Sequence, residues 1–277
     1  MSYEEQRPSG FHLLPPVVKN LLIINGLLFF ATYVFGVVFE VDLNDKLGLH
    51  YFGSEKFRPY QFITYMFMHG NVEHILLNMF ALWMFGNTLE NYWGPKRFLI
   101  YYLICGIGAA LTHYCIYYFE IRPALTMIND YLANPGFEKF DQLMNAHQEM
   151  RQMFENYMRD MHQDHFSGDV QHLLRYSSDY MVKYKEAFLN ASNVVGASGS
   201  IFGILLAFGM MFPNTMLYVY FAIPVKAKYF VIIYGLIELY SGFYDNTTNV
   251  AHFAHLGGML FGLILILLWR KNHNLFM

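Results

Sequence analysis

The chain is built from long apolar runs separated by polar connections. Residues 21–39, 75–93, 98–119, 194–212 and 253–269 each come close to the ~20 residues that an α-helix needs to cross the hydrocarbon core of a bilayer. A sixth run, 229–243, is shorter and carries a single charge, Glu238. The pattern predicts an all-α membrane protein, a bundle of six transmembrane helices. Between the third and fourth runs lies an insertion of about 70 residues with 18 charges and four histidines. Within it Leu143, Ala146, Met150, Met153, Tyr157 and Met161 recur at spacings of three and four, an amphipathic helical stripe. The insertion is therefore expected to be an extramembrane helical hairpin. The domains read as a cytoplasmic segment 1–20, helices one to three over 21–119, the insertion over 120–193, helices four to six over 194–269 and a cytoplasmic tail 270–277. The connection 40–67, with its aromatics and its Phe57-Arg58-Pro59 turn, reads as a structured loop near the membrane interface.

Composition agrees with this reading. Of 277 residues 55% are hydrophobic and 14% charged, about half the charged share of an ordinary soluble domain. The net charge of −3 points to no nucleic-acid partner. The opening MSYEEQRPSGFHLLPP is too acidic and polar for a signal-peptide n-region, so the first run is expected to remain as a helix. Cys105 and Cys115 share the third run about three turns apart, too far to pair, and read as small core residues. His162-Gln163-Asp164-His165 offers two candidate metal ligands without a convincing third, and no metal or cofactor is expected.

Lysine and arginine in short loops mark the cytoplasmic side. Arg7 and Lys19, Lys96 and Arg97, Lys226 and Lys228, and Arg270 and Lys271 place both termini inside; Lys46, Lys56 and Arg58 in the first outer loop dissent. With that topology helices two, four and six all run inward, and residues near their N-terminal ends share a depth near the outer face. The insertion falls on that same side.

Polar residues in membrane helices are costly and mark functional sites by default. Three clusters stand near those N-terminal ends. Gly196-Ala197-Ser198-Gly199-Ser200-Ile201-Phe202-Gly203 carries a serine beside a GxxxG pair, which by itself reads equally as close helix packing. Ala254-His255-Leu256-Gly257-Gly258, with Gly262 beyond, carries a histidine on a second small-residue surface. At 1.5 Å per residue, Ser198 and His255 lie within roughly 3–8 Å of their helix starts, so hydroxyl and imidazole can meet. His69-Gly70-Asn71-Val72-Glu73-His74 leads to Asn78, which shares a helix face with His74. Standing alone this third cluster reads as a capping network. At the depth of the serine, the Asn amide, a His N–H and the Ser198 N–H are also donors suited to a developing oxyanion.

The three motifs resemble those of the rhomboid proteases: GxSG in Gly196-Ala197-Ser198-Gly199, AHxxG in Ala254-His255-Leu256-Gly257-Gly258, and HxxxN in His74 and Asn78. The resemblance runs over about 57–269. It implies an intramembrane serine endopeptidase with Ser198 as nucleophile, His255 as general base and no third acidic member. It implies an oxyanion site of His74, Asn78 and the Ser198 amide behind Gly196, with His69 near its mouth and Phe202 stacked on His255. Arg58 matches the family's Trp-Arg element, with Phe57 in place of the tryptophan, and Glu90 a structural carboxylate. The implied substrates are single-pass or other membrane proteins, admitted by movement around 229–249, where Gly235, Gly242, Asp245 and Asn246 would permit mobility. The oligomeric state is left open. The compact six-helix form points to a bacterial inner membrane. The insertion is outside the family pattern. His252, one turn before His255, is the rival base. Two other readings are a proton-coupled transporter using His255, His74 and Glu90, and a catalytically silent relative that binds membrane proteins; the first needs a polar path through the bilayer, and the second usually lacks the Ser or the His.

Overall fold

The computed structural model describes residues 12–146, 148–160, 170–191, 193–219, 222–244 and 249–271. Its helices are α1 (Pro16–Phe39), α2 (Leu43–Leu47), α3 (Gln61–Thr64), α4 (Val72–Ala81), α5 (Asn87–Trp93), α6 (Pro95–Ala133), α7 (Phe137–Ala146), α8 (Gln148–Asp160), α9 (Val170–Asn190), α10 (Ser198–Met211), α11 (Ala227–Tyr244) and α12 (Asn249–Lys271). The strands β1 (Leu49–His50), β2 (Asn193–Val194), β3 (Met216–Val219) and β4 (Ile223–Lys226) form two two-stranded ribbons. Each of the six apolar runs contributes a helix, the second as α4 and α5 joined through a π-helical turn at Leu82–Gly86, while the fourth begins in β2 and a turn before α10 starts at Ser198. By length and composition Pro16–Phe39, Pro95–Ala133 and Ala251–Lys271 are each apolar enough to cross a membrane. α10 is apolar too, but its 14 residues extend only about 21 Å. It is also the most enclosed of the core helices, buried along most of its length.

Two compact units divide the chain, one of Met1–Leu49, Arg58–Ile116 and Asn193–Met277, the other of His50–Phe57 and Tyr117–Ser192. In the first, α1 begins on a proline, whose missing N–H costs nothing at a helix start. The next two amides donate to Glu90, Val17 N at 2.8 Å and Val18 N at 2.7 Å. A carboxylate at the positive end of a helix dipole satisfies two otherwise orphaned donors, and Glu90 is buried. Glu90→Ala is expected to destabilise the bundle by about 2–4 kcal/mol, read as a lower unfolding midpoint in detergent; an unchanged midpoint would contradict this role.

The direction of the helices follows from aromatic contacts at one end of the unit. Trp93, closing α5, lies 5.7 Å from Trp269 near the end of α12 and 4.9 Å from Tyr101 near the start of α6. Tyr92 lies 5.7 Å from Phe212, which caps α10. Helices α5, α10 and α12 thus end on one face, so α4, α10 and α12 begin on the other. Where α10 and α12 cross, a Cβ on Gly258 would collide with the carbonyl oxygen of Gly199, and one on Gly203 with Cys105. Only hydrogen at these positions lets the backbones approach so closely. Tyr101 Oη donates to Gly203 O at 2.8 Å and Ser200 Oγ to Tyr102 O at 2.8 Å, binding α6 to α10. Cys105 is buried in this packing but Cys115 is exposed, against the expectation that both are core residues. Ten residues at 100° each place it about 80° round the helix from Cys105.

Many large apolar side chains of this unit face outward, among them Leu27, Phe30, Leu76, Ile233, Leu236 and Leu268. Such a surface suits lipid and not water. Between α10 and α11, in the connection that carries Lys226 and Lys228, β3 and β4 pair in antiparallel register, Met216 opposite Lys226 and Val219 opposite Ile223.

The second unit has a core of its own, in which Ile128, Tyr131, Phe140, Leu143, Met144, Met150, Phe154, Tyr180 and Met181 bury one another. Burial pushes the Tyr180 phenol up to about 12, so it stays protonated and donates to Met150 O at 3.0 Å. Helices α7, α8 and α9 pack with the end of α6, so the insertion is helical. Along the stripe Leu143 and Met150 are buried, while Met153 is exposed. His162-Gln163-Asp164-His165, Met161, Arg7, Asp245, Asn246 and the tail from 272 lie outside the described residues.

Candidate active site

Ser198 is the first residue of α10. It follows Gly196, whose φ of 131° is unfavourable for any side chain. Gly196 N donates to Tyr65 O at 2.9 Å, which anchors the turn. A Cβ there would also come within 2.7 Å of His74 Nε2. The glycine therefore lets the chain turn into α10 and lets the His74 imidazole lie against the backbone beside the serine. Early amides of a helix have no intrahelical acceptor and carry the positive end of its dipole; the Ser198 N–H is the first of these.

His255 comes from α12. Its Nε2 lies 2.9 Å from Ser198 Oγ. Its ring stacks on Phe202, one turn along α10 from Ser198, with centroids 4.2 Å apart and planes 6° from parallel. Phe202 in turn stacks on Tyr234 at 5.1 Å. This packing restricts the imidazole to one plane, and the crossing at Gly199 and Gly258 sets its distance from the serine.

α4 supplies the remaining groups. Asn71 caps it, its Oδ1 accepting from His74 N at 2.8 Å, so a capping network is present alongside the other features. His69 is buried, with its ring edge-on to His74 at 5.0 Å. Asn78 follows one turn after His74 and is buried; its Nδ2 has no hydrogen-bond partner among the described residues. A buried amide donor without an acceptor costs free energy. Arg58 is exposed, and its backbone N–H donates to Gln61 Oε1 at 3.0 Å.

One residue near the pair carries no role in the sequence reading. Glu238 of α11 presents Oε2 to His255 Nδ1 at 2.9 Å and to His252 Nδ1 at 2.7 Å. The resemblance implies no acidic third member, whereas the structure sets a buried carboxylate against the far side of the His255 ring. The available signal was its standing as the lone charge in an apolar run. Both histidines face this carboxylate, and it is His255 whose Nε2 meets the serine. Glu238, His252 and His255 could together also hold a metal ion, with ligand atoms within 4.8 Å of one another. Their short N···O pairs are accounted for by two N–H donors and one carboxylate acceptor.

A family model described as the rhomboid domain matches residues 56–120 and 166–272. It leaves out 121–165, a narrower gap than the expected insertion. The chain is 32% identical over 122 residues to rhomboid-like protein 12, mitochondrial, of Arabidopsis thaliana, covering 40% of this chain and 35% of that protein. It is 31% identical over 102 residues to rhomboid protease AarA of Providencia stuartii, covering 34% and 36%. Against rhomboid-like protein 11, chloroplastic, of Arabidopsis thaliana, identity is 37% over 57 residues, 21% of this chain and 20% of that one. The chain thus spans about a third or less of the length of these relatives.

Proposed function

Because the chain belongs to the rhomboid family of integral membrane proteins, we propose that it is a serine endopeptidase that hydrolyses peptide bonds in or beside transmembrane segments of other membrane proteins. The observation that carries this reading is the 2.9 Å approach of His255 Nε2 to Ser198 Oγ at the start of a helix. A serine within hydrogen-bond reach of an imidazole is an activated nucleophile. His255 takes the hydroxyl proton as Oγ attacks the scissile carbonyl, then returns it to the leaving amine. The tetrahedral oxyanion is held by the Ser198 N–H, Asn78 Nδ2 and a His74 ring N–H, with the helix dipole adding to the attraction. Water then repeats the sequence on the acyl-enzyme. A substrate helix has its carbonyls engaged in its own hydrogen bonds, so the cut falls where small or helix-breaking residues let the backbone unwind.

We place both termini in the cytoplasm of a bacterium, with the site opening to the outer side of its inner membrane. The support is the lysine and arginine of the short loops, Lys96, Arg97, Arg270 and Lys271 among them. The test of the activity is cleavage of a labelled single-pass substrate in proteoliposomes by the wild type, Ser198→Ala and His255→Ala, together with labelling of Ser198 by a serine-directed probe. Absence of both cleavage and labelling in the wild type would turn the reading to a membrane-protein-binding relative.

Gly196 gives a second expectation. Gly196→Ala forces a side chain into a backbone region that costs about 1–3 kcal/mol and pushes against His74. A displacement of about 1 Å at such a site costs on the order of 10²-fold in rate, so a drop of that size in kcat/KM is expected. An alanine variant as fast as the wild type would contradict the placement of His74 against this turn.

A further inference from the structure

The histidine that meets Ser198 is held from behind by a group that a serine–histidine pair does not require. Glu238 sits on α11, a different helix from either Ser198 or His255, and is buried within apolar surroundings. An ionised carboxylate in such a place is expensive unless it is satisfied. Here it is satisfied by two ring nitrogens on α12, one helical turn apart, that converge on the single oxygen Oε2: His252 Nδ1 at 2.7 Å and His255 Nδ1 at 2.9 Å.

A carboxylate accepts and does not donate, so both Nδ1 atoms must carry protons. For His255 this selects the tautomer with hydrogen on Nδ1 and a lone pair on Nε2, the atom 2.9 Å from Ser198 Oγ. The opposite tautomer would place a hydrogen on Nε2 and leave nothing there to take the serine proton. Phe202 confines the plane of the ring but exerts no choice between the two nitrogens. That choice belongs to Glu238.

We propose that Glu238 is a positioning residue for His255, making the site a serine–histidine–glutamate array in which His252 fixes the carboxylate by donating to the same oxygen. The proposal rests on reading Ser198 and His255 as the proteolytic pair. When His255 takes the serine proton, both ring nitrogens carry hydrogen, and the negative charge on Glu238 stabilises the imidazolium at the moment it forms. The carboxylate remains unprotonated throughout, so one proton moves from Oγ to Nε2 and then to the leaving amine.

A purely structural role, tying α11 to α12, makes a different prediction, and Glu238→Gln separates the two. Glutamine keeps the size and an acceptor oxygen, loses the charge, and can turn its amide N–H toward His255 Nδ1, admitting the wrong tautomer. In the serine proteases where the acidic member was replaced by its amide, kcat fell about 10⁴-fold. Here the amide oxygen can still accept from both rings, so a fall in kcat of about 10–10²-fold is expected, with KM within about twofold of wild type. Glu238→Asp, which restores the charge, should recover part of the loss.

The measurement is kcat and KM on a labelled membrane substrate for wild type, Glu238→Gln and Glu238→Asp, with unfolding midpoints, and nitrogen-15 NMR of the labelled histidines to read the His255 tautomer. A kcat loss in Glu238→Gln at an unchanged midpoint, with His255 shifting from a pure Nδ1–H form to a mixture, supports the proposal. Unchanged kcat and tautomer overturn it, as does a loss of activity that tracks a loss of stability equally in both variants. A wild type that neither cleaves nor takes the serine probe sinks the protease reading instead, and the tautomer measurement then decides on Glu238 by itself.

Discussion

Ser198→Ala is expected to lower cleavage of a membrane-embedded substrate by about 10⁴–10⁶-fold. The variant deletes one oxygen from a half-buried position and leaves the crossing of α10 and α12 intact, so folding should be unaffected. What disappears is the proposed nucleophile. Water would have to replace Oγ without a binding position of its own at 2.9 Å from His255 Nε2. His255→Ala should cost about as much, because an alcohol without an adjacent base is almost wholly un-ionised at neutral pH. Residues that act as one unit are not additive, so the double variant is expected to be no slower than either single one. The check is a single-turnover assay in proteoliposomes at matched enzyme density. Residual cleavage by Ser198→Ala within about tenfold of wild type would remove Ser198 from the role of nucleophile.

Asn78→Ala carries the second largest effect, a fall of about 10²–10³-fold in kcat with KM little changed. Asn78 is buried, and its Nδ2 lacks an acceptor among the described residues. On the proposed mechanism this donor meets a charge that exists only in the transition state and so favours that state selectively, which appears in kcat and not in substrate affinity. For the same reason the variant should keep its fold, or gain slightly in stability, since an unpaired buried amide is removed. An equal rise in KM at constant kcat would make Asn78 a substrate-binding residue; no kinetic change at all would leave the oxyanion to the backbone N–H of Ser198 and to His74.

Much of the fold was legible along the chain because hydrocarbon imposes one rule on every spanning segment: its backbone must satisfy itself, so apolar runs become helices. Each of the six runs accordingly holds a helix, and the small residues Gly199 and Gly258 announce a close crossing because no larger residue fits there. Departures came where that rule stops applying. The ribbon of Met216–Val219 with Ile223–Lys226 lies in the connection between two runs, where four-residue strands have too little alternation to stand out. In the second unit, packing around Met150 and Tyr180, and not periodicity, decides which residues of the stripe are buried.

The candidate site divides in the same way. Sequence by itself determined the helices, the residue types and the shared depth of Ser198, His255, His74 and Asn78, because depth follows from helix direction and position along the run. Tertiary structure alone decided which atoms meet. The turn at Gly196 seats the His74 ring beside the serine, and Phe202 fixes the plane of His255. Glu238, seventeen residues before His255 in the chain but on a separate helix, touches Nδ1. The physical reason is that periodicity along one helix specifies a face, while contact between helices depends on crossing angle and rotamer, which become definite only when the faces pack.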